Sequence, residues 1–241
     1  MATVQELTEP YSNFLLNPLR PTDPDVCEIC LTFTEGYPRC YPCGHSQVVT
    51  RSVLPISYSP HGGQLHTVLA GYKRRTDETA KRFTLQLAAV LWRFVGLHEA
   101  CLARSAGAGA RFDVVTTVPS GDPARDDAHP LRHIVGSLVA PTRDRHERLL
   151  RRSGTEVAPR TVDSGKYNPT RDLEGASVLL IDDTWTTGAN AQSAAAALEL
   201  ADAGPIGILV IGRHVQPDYQ DNRARLKNLP HLFDWGTCAR D

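Results

Sequence analysis

Residues 178–189 constrain the fold of this 241-residue chain more than any other segment. Four apolar residues that favour β-strands, 178–181, run directly into two adjacent carboxylates, Asp182 and Asp183. A turn rich in Thr and Gly follows, and then an Ala-rich stretch over residues 190–203. The pattern predicts a strand, a loop and a helix in succession. Open α/β sheets bind their ligands at such loops, at the carboxyl ends of their strands.

The side chains of this loop suit a sugar phosphate. Thr186, Thr187 and Gly188 offer hydroxyls and backbone N–H groups beside a helix N-terminus, which favours anions. Asp182 and Asp183 offer lone pairs to a sugar diol, directly or through Mg²⁺. The alternative is an ordinary strand-to-helix turn capped by Thr. Adjacent acids after a buried strand argue against it, because they repel each other unless a cation or a hydroxyl-rich ligand is present.

Four of the six cysteines fall in two C-x-x-C pairs near the N-terminus. They are Cys27, Cys30, Cys40 and Cys43. Two such turns brought together can hold Zn²⁺ tetrahedrally, in a closed site that is structural because no position stays open for a substrate. A segment as short as residues 25–50 needs such a metal to fold. The alternative is a set of free thiols. Cys101 and Cys238 lie far away in sequence, and we expect them to belong to no site.

Composition bounds the class of protein. With 41% hydrophobic and 22% charged residues, the chain suits one α/β domain with a small appendage. The predicted division is residues 1–50, which carry the cysteines, and residues 51–241. A net charge of −1 makes nucleic-acid binding unlikely without excluding it. We find no apolar run long enough for a bilayer and no signal-peptide core, and therefore expect a cytoplasmic protein with no membrane partner.

Two more strands and a helix are predicted. Residues 112–118 are typical of a strand, residues 206–212 are an apolar run typical of a buried parallel strand, and residues 77–95 carry an apolar stripe at helical spacing. The fold class that follows is α/β, with a Rossmann-like parallel sheet flanked by helices. Residues 153–173 are polar and aperiodic, which is typical of a lid over a site.

Residues 178–190 resemble the phosphoribosyl-pyrophosphate (PRPP) loop of the type I phosphoribosyltransferases. The resemblance implies the fold of that family, with Asp182 and Asp183 holding the ribose hydroxyls. It also implies that the residues after the acids bind the 5-phosphate. These are Thr184, Trp185, Thr186, Thr187, Gly188 and Ala189.

A four-cysteine module followed by such a domain resembles the ComF family. Residues 69–75 are loosely similar to the "LKYxG" segment of that family, which implies a place for Lys73 in the PRPP site. The segment Pro119-Ser120-Gly121 resembles the pyrophosphate loop of the amidophosphoribosyltransferases. The polar stretch 153–173 takes the place of the flexible catalytic loop of type I enzymes, in which Lys166 would close over the pyrophosphate.

The function implied is Mg²⁺-dependent transfer of ribose 5-phosphate from PRPP to a small-molecule acceptor, with release of pyrophosphate. A structural Zn²⁺ would accompany it, and a homodimer is left open. The alternative is a non-catalytic protein of ComF type that acts in DNA uptake, in regulation or as a scaffold. Trp185 is unusual for the loop, and its indole could stack on an acceptor or fill space near it. Among the acid–base candidates by location are His129, His133 and His214.

Overall fold

The structure, a computed structural model, describes residues 3–74, 77–120, 126 and 129–241. The strands are β1 Val53–Pro60, β2 Val114–Thr117, β3 Leu150–Arg152, β4 Tyr167–Pro169, β5 Val178–Trp185 and β6 Ile206–Val215. The α-helices are α1 Val4–Thr8, α2 Tyr41–His45, α3 Gln64–Arg74, α4 Glu78–Ala106, α5 Pro130–His133, α6 Ala140–Arg143, α7 Ala189–Leu200 and α8 Asn222–Lys227. Turns of 3₁₀-helix occur at Glu9–Asn13 and Ser164–Lys166, and a π-helical turn at Ile134–Leu138.

A parallel sheet of four strands forms the centre, in the order β1-β6-β5-β2. The side chains of β5 alternate between two hydrophobic clusters: Leu179 and Ile181 pack into one, and Val178 and Leu180 into the other. Because both faces of the sheet are covered, its strands are continuous apolar runs. The predicted α/β class with a parallel sheet flanked by helices is confirmed. The version of that fold specific to phosphoribosyltransferases stays a prediction.

Helix α4 supplies the core on one face of the sheet. Asp77 caps its first turn by accepting a hydrogen bond from the N–H of Ala80, and Gly107 ends it in a left-handed conformation. Leu87, Leu91 and Phe94 are buried, so the apolar stripe expected over 77–95 is a core stripe, although the helix extends to Ala106.

By length and composition alone, α4 is long and apolar enough to cross a membrane, a test that buried core helices also pass. Half of its most apolar window is buried within this fold.

The N-terminal segment packs against the edge strand β1. Leu15 and Leu31 belong to the same hydrophobic cluster as α4. The backbone N–H of Leu16 donates to the Ser57 hydroxyl at 2.8 Å, and the Tyr58 hydroxyl donates to the carbonyl of Leu31 at 2.6 Å. The segment that carries the cysteines therefore shares a core with the sheet.

The stretch expected to be an aperiodic lid, residues 153–173, follows one strand of a small antiparallel ribbon and contains the other. Leu150 on β3 pairs with Pro169 on β4, and Arg152 pairs with Tyr167. Leu150 and Tyr167 are both buried and anchor the ribbon. Each strand is three residues long, too short to produce a readable alternation. Residues 153–163 lie between the two strands, and Arg160, which is discussed below, is one of them.

Candidate phosphate-binding site and four-cysteine cluster

The loop between β5 and α7 lies at the carboxyl edge of the sheet. Thr184 pairs with Gly212 of β6, and Trp185 pairs with Arg213, so the loop starts beside the end of the neighbouring strand. Gly188 precedes Ala189, the first residue of α7. The predicted succession of strand, loop and helix is confirmed. The loop therefore presents its backbone amides where the α7 dipole favours an anion.

Gly188 is required for two separate reasons. Its φ angle of +83° is one that residues with a side chain rarely adopt, and a Cβ atom there would lie 2.0 Å from Cζ2 of Trp185. The Trp185 indole is 2% exposed and packs beneath the loop. It supports the loop and does not present a face for stacking on an acceptor, and its Nε1 has no hydrogen-bond partner among the described residues.

A cavity of about 290 Å³ opens against this loop. Hydroxyls, an amide, a carboxylate and a guanidinium surround it. The residues concerned are Thr184, Thr186, Thr187, Asn190, Asp182 and Arg160. Arg160 comes from the segment between β3 and β4, and sequence reasoning missed it because no motif distinguishes it within the polar stretch 153–173. The cavity suits a ligand that carries both a phosphate and hydroxyls.

The two adjacent acids have different surroundings. Successive side chains of a strand point to opposite faces, so Asp182 lines the cavity whereas Asp183 is buried on the other face of β5. There, Oδ2 of Asp183 accepts a hydrogen bond from the Tyr72 hydroxyl and pairs with Nζ of Lys73. The sequence analysis gave both acids to the ribose. In the structure Asp183 is engaged by the protein itself, and Lys73, expected at the PRPP, is its partner.

This asymmetry governs ionisation at the site. Burial and the neighbouring charge of Asp183 raise the pKa of Asp182 from 3.8 to about 7, although Lys73 opposes the shift. Burial opposes the charge of Lys73, but attraction by Asp183 and Asp182 outweighs it and raises the pKa of that lysine. Near neutral pH, Asp182 is thus poised between its two protonation states.

A second cavity, of about 380 Å³, adjoins the first and shares Thr184 and Thr186 with it. Three imidazoles line it, those of His61, His66 and His214, with ring centroids 4.7 to 5.9 Å apart. Burial and then the neighbouring imidazoles and arginines lower the pKa of His66 and His214, which favours their neutral form. His214 was expected here, but the sequence carried no signal for the other two.

Two further polar groups of this second cavity matter. Ser59, at the end of β1, lines it with a buried hydroxyl that has no hydrogen-bond partner among the described residues. Arg74, which follows Lys73 on α3, also lines it and adds positive charge. The cavity therefore offers a ligand hydrogen-bonding groups that the fold leaves available.

The predicted pyrophosphate loop is only partly described. Pro119 and Ser120 follow β2 at the carboxyl edge, whereas Gly121 lies outside the described residues. The backbone N–H of Ser120 donates to Oδ1 of Asp126 at 2.9 Å. Arg132 and Arg148 pair with the same carboxylate at 3.1 and 2.5 Å. The Asp126 carboxylate thus occupies a position where a backbone N–H group and two guanidinium groups converge. These are groups that could bind an anion.

The remaining candidates are placed as follows. Lys166 is buried in the turn before β4, and its Nζ donates to Oδ1 of Asn190 at 2.6 Å, so the lysine contacts a residue that lines the first cavity. His129 is buried, and burial, followed by the charge of Lys73, lowers its pKa. His133 is exposed.

The four cysteines of the two C-x-x-C pairs come together. Their sulfur atoms all lie within 4.8 Å of one another, and the Sγ atoms of Cys30 and Cys40 are 3.6 Å apart. Sulfurs in a tetrahedral zinc site with bonds of about 2.3 Å are about 3.8 Å apart, and those of a disulfide about 2.05 Å. His45 is exposed, and its Nδ1 contacts the carbonyl of Tyr41. The cluster fits one metal ion held by four sulfurs.

Arg213 connects this cluster to the phosphate loop. Its buried guanidinium donates to the carbonyls of Trp185 at 3.0 Å and Thr186 at 3.2 Å. It also donates to the carbonyl of Cys30 at 3.2 Å and contacts the sulfur of that residue at 3.4 Å. Burial opposes ionisation of Cys30, but hydrogen bonds from the other three thiols and the charge of Arg213 hold its pKa well below the usual value.

Neither a protein-family model nor a curated protein matches this sequence. The resemblance to the phosphoribosyltransferases therefore stays a prediction from motifs. The function is inferred below from the chemistry of the site.

We predict that Gly188→Ala weakens the fold by about 2 kcal/mol or more and abolishes binding of PRPP, because it adds both backbone strain and a clash with Trp185. Gly107→Ala is a matched control: its φ is also +83°, but nothing lies within 4 Å of the added Cβ. Denaturant unfolding and calorimetry with PRPP would measure both effects. Equal losses of stability in the two variants would contradict the packing argument.

The raised pKa of Asp182 predicts a pH-dependent stability. The folded state holds this proton up to about pH 7 and the unfolded state only to about 3.8, so rising pH between these values destabilises the folded state. Asp182→Asn cannot titrate. The free energy of unfolding of the wild type, relative to this variant, should fall as pH rises towards about 7 and stay level above it. If denaturant titrations showed that the free energies of unfolding of the wild type and of Asp182→Asn change with pH in parallel, the assignment of the raised pKa to Asp182 would be refuted.

For the cysteine cluster, we predict that Cys43→Ser lowers the zinc content by one ion per chain and destabilises the N-terminal segment, since three thiolates leave the shell incomplete. His45→Ala should keep its zinc. Elemental analysis by mass spectrometry measures both. Loss of zinc from His45→Ala, or none from Cys43→Ser, would show that the ligand set is different.

Proposed function

We propose that this protein is a phosphoribosyltransferase that moves ribose 5-phosphate from PRPP to a small-molecule acceptor and releases pyrophosphate. One observation carries the proposal: a Thr- and Gly-rich loop at the start of α7 and the carboxylate of Asp182 line the same cavity. Phosphate and ribose are the two groups that such a pair would recognise together.

The loop is suited to hold the 5-phosphate. Thr186 and Thr187 supply hydroxyls, and the backbone around Gly188 supplies N–H groups at the start of a 12-residue helix. Arg160, across the cavity, adds a positive charge that a phosphate ester would neutralise. The three threonines that line the cavity are uncharged. Its net charge before binding therefore depends on Arg160 and on the protonation of Asp182.

Asp182 is suited to hold the ribose. In its ionised form the carboxylate accepts hydrogen bonds from hydroxyls, and its negative charge favours the positive charge that develops at the anomeric carbon as pyrophosphate departs. The pyrophosphate oxygen takes the electron pair of the breaking C–O bond, and the acceptor supplies the pair for the new bond. Most of the rate enhancement would thus come from positioning and electrostatics.

Mg²⁺ would enter together with PRPP. The Asp182 carboxylate and the hydroxyls of the loop are the oxygen ligands that this hard cation prefers, and the ion would neutralise charge on the leaving pyrophosphate.

The second cavity is suited to the acceptor. It adjoins the first at Thr184 and Thr186 and lies towards the ends of β6 and β1. The imidazoles of His66 and His214 favour the neutral form, so either can take the proton that a nucleophile loses on attack. The unpartnered hydroxyl of Ser59 would help to orient that nucleophile.

Two of the five arginines in the basic residues 143–152 lend no support to the nucleic-acid alternative. Arg145 pairs with Glu99 at 2.7 Å, and Arg148 pairs with Asp126 at 2.5 Å. Both arginines are therefore used to hold the fold together. A regulator that binds PRPP without turnover is the rival that experiment must separate from an enzyme.

We predict that Asp182→Asn weakens binding of PRPP with Mg²⁺ by about tenfold or more, because charged hydrogen bonds to the ribose are lost. The control is Asp202→Asn, an exposed acid just before β6 at the opposite edge of the sheet. Titration calorimetry at about pH 8 measures both. Equal affinities of Asp182→Asn and wild type would remove the basis of the proposal.

Turnover needs a separate readout. Wild-type protein given PRPP and Mg²⁺ should release pyrophosphate only when a metabolite extract is added. The variant His214→Ala should release pyrophosphate more slowly but bind PRPP as the wild type does. Tight PRPP binding with no release from any extract would favour the regulator.

A further inference from the structure

Three side chains outside the proposed active site converge at α4: His98 and the two cysteines, Cys101 and Cys238, that the sequence analysis expected to belong to no site. The ligand atoms of His98, Cys101 and Cys238 all lie within 4.8 Å of one another, and all three residues are buried. We propose that they form a second zinc site, with these three side chains as its protein ligands and a water molecule in the fourth position. The site is separate from the four-cysteine cluster and independent of the proposed transferase activity.

The spacing of the ligands follows from local structure. His98 and Cys101 lie three residues apart on α4, so both side chains fall on one face of the helix. Cys238 comes from the last turn, in which the N–H of Asp241 donates to the carbonyl of Cys238 at 3.2 Å. A pair preorganised on one helix thus meets a third ligand from a distant part of the chain.

The three ligand atoms are close enough to share one ion. They lie within 4.8 Å of one another, and the nitrogen and sulfur ligands of a tetrahedral zinc ion are about 3.5 to 3.8 Å apart. Asp241 stands outside this group, and its Oδ1 accepts a hydrogen bond from the Cys101 thiol at 3.4 Å.

The imidazole is oriented as a metal ligand usually is. His98 contacts the carbonyl of Trp235 through Nε2 at 2.7 Å. Because a carbonyl only accepts, Nε2 carries the proton, and Nδ1 keeps the free lone pair that a metal needs. A hydrogen bond from the other ring nitrogen to a carbonyl is the typical support of a zinc-bound histidine.

Charge at the site is balanced. Two thiolates and a neutral imidazole would compensate the two positive charges of Zn²⁺. The guanidinium of Arg104 lies 3.8 Å from Sγ of Cys101 and 3.5 Å from Oδ1 of Asp241, so it pairs with the nearby carboxylate.

The position of the site suggests what the metal does. Between Cys238 and Asp241, the side chain of Arg240 donates to the carbonyls of Val53, Glu28 and Ile29 at 2.9, 3.1 and 2.7 Å. An ion that fixes this turn to α4 would hold Arg240 in place. The second site would thereby hold the cysteine-bearing segment against β1.

The test uses the full chain and two single variants. Cys238→Ser removes one ligand, and His98→Gln keeps a donor for the Trp235 carbonyl but has no imidazole lone pair. Each should contain one zinc per chain less than the wild type, by elemental analysis of gel-filtered protein. Leu97→Ala, an exposed neighbour of His98, should match the wild type. Unchanged zinc in both ligand variants would overturn the proposal.

A measurement on the unaltered protein covers the case in which a variant fails to fold. X-ray absorption at the zinc edge should show an average of about three sulfur ligands and one nitrogen or oxygen ligand per ion when both sites are filled. Four sulfurs per zinc, with one ion per chain, would leave only the first cluster and refute the second site. A Cys101–Cys238 disulfide found by mass spectrometry of unreduced protein would also refute it.

Discussion

The buried guanidinium of Arg213 joins two parts of the structure that sequence alone treats as separate. It binds the backbone of the phosphate loop at Trp185 and Thr186, and the backbone and sulfur of Cys30 in the cysteine cluster. A buried arginine is tolerated only when its N–H groups are satisfied, so the loop and the cluster must both be in place for this residue to be stable. A cysteine cluster that looks like an accessory thus becomes part of what shapes the site. Because Arg213 bridges the two, a displacement of Cys30 would shift the guanidinium that holds the carbonyls of Trp185 and Thr186.

The same loop is held from below by packing. The Trp185 indole fills the space where any side chain on residue 188 would stand, and the left-handed conformation of Gly188 then starts α7 at the correct angle. Hydrogen bonds from Arg213 on one side and aromatic packing on the other leave the loop amides with little freedom. A binding site gains affinity when its donors are ordered before the ligand arrives, because less conformational entropy is lost on binding. This rigidity makes a small, charged ligand a more natural occupant than a flexible peptide.

Patterns within short stretches of sequence predicted the parts of the structure that short stretches determine. The apolar runs of β5 and β6, the loop between β5 and α7, and the meeting of two C-x-x-C pairs were all readable, because each depends on periodicity or close spacing. The parts that were missed depend on contacts between distant residues. Tyr72 and Asp183 are 111 positions apart, so nothing near the acids indicated that one of them would be neutralised from α3. His61 and Arg160 likewise reach the cavities from other elements, and Cys238 reaches α4 only because of how the last turn packs.

The unequal surroundings of the two acids would favour binding of a polyanion, the ligand proposed above. Two exposed, ionised aspartates would repel a phosphorylated ligand as it approached. In this structure Lys73 neutralises Asp183, and the raised pKa of Asp182 lets that residue carry a proton until a partner for its charge arrives. The charge that Asp182 gains would then appear only together with the hydroxyls or the cation that stabilise it, since binding of either favours release of the proton. Asp183 thus acts from behind the site, whereas Lys73 also lines the second cavity, and together they set the electrostatic potential that Asp182 experiences.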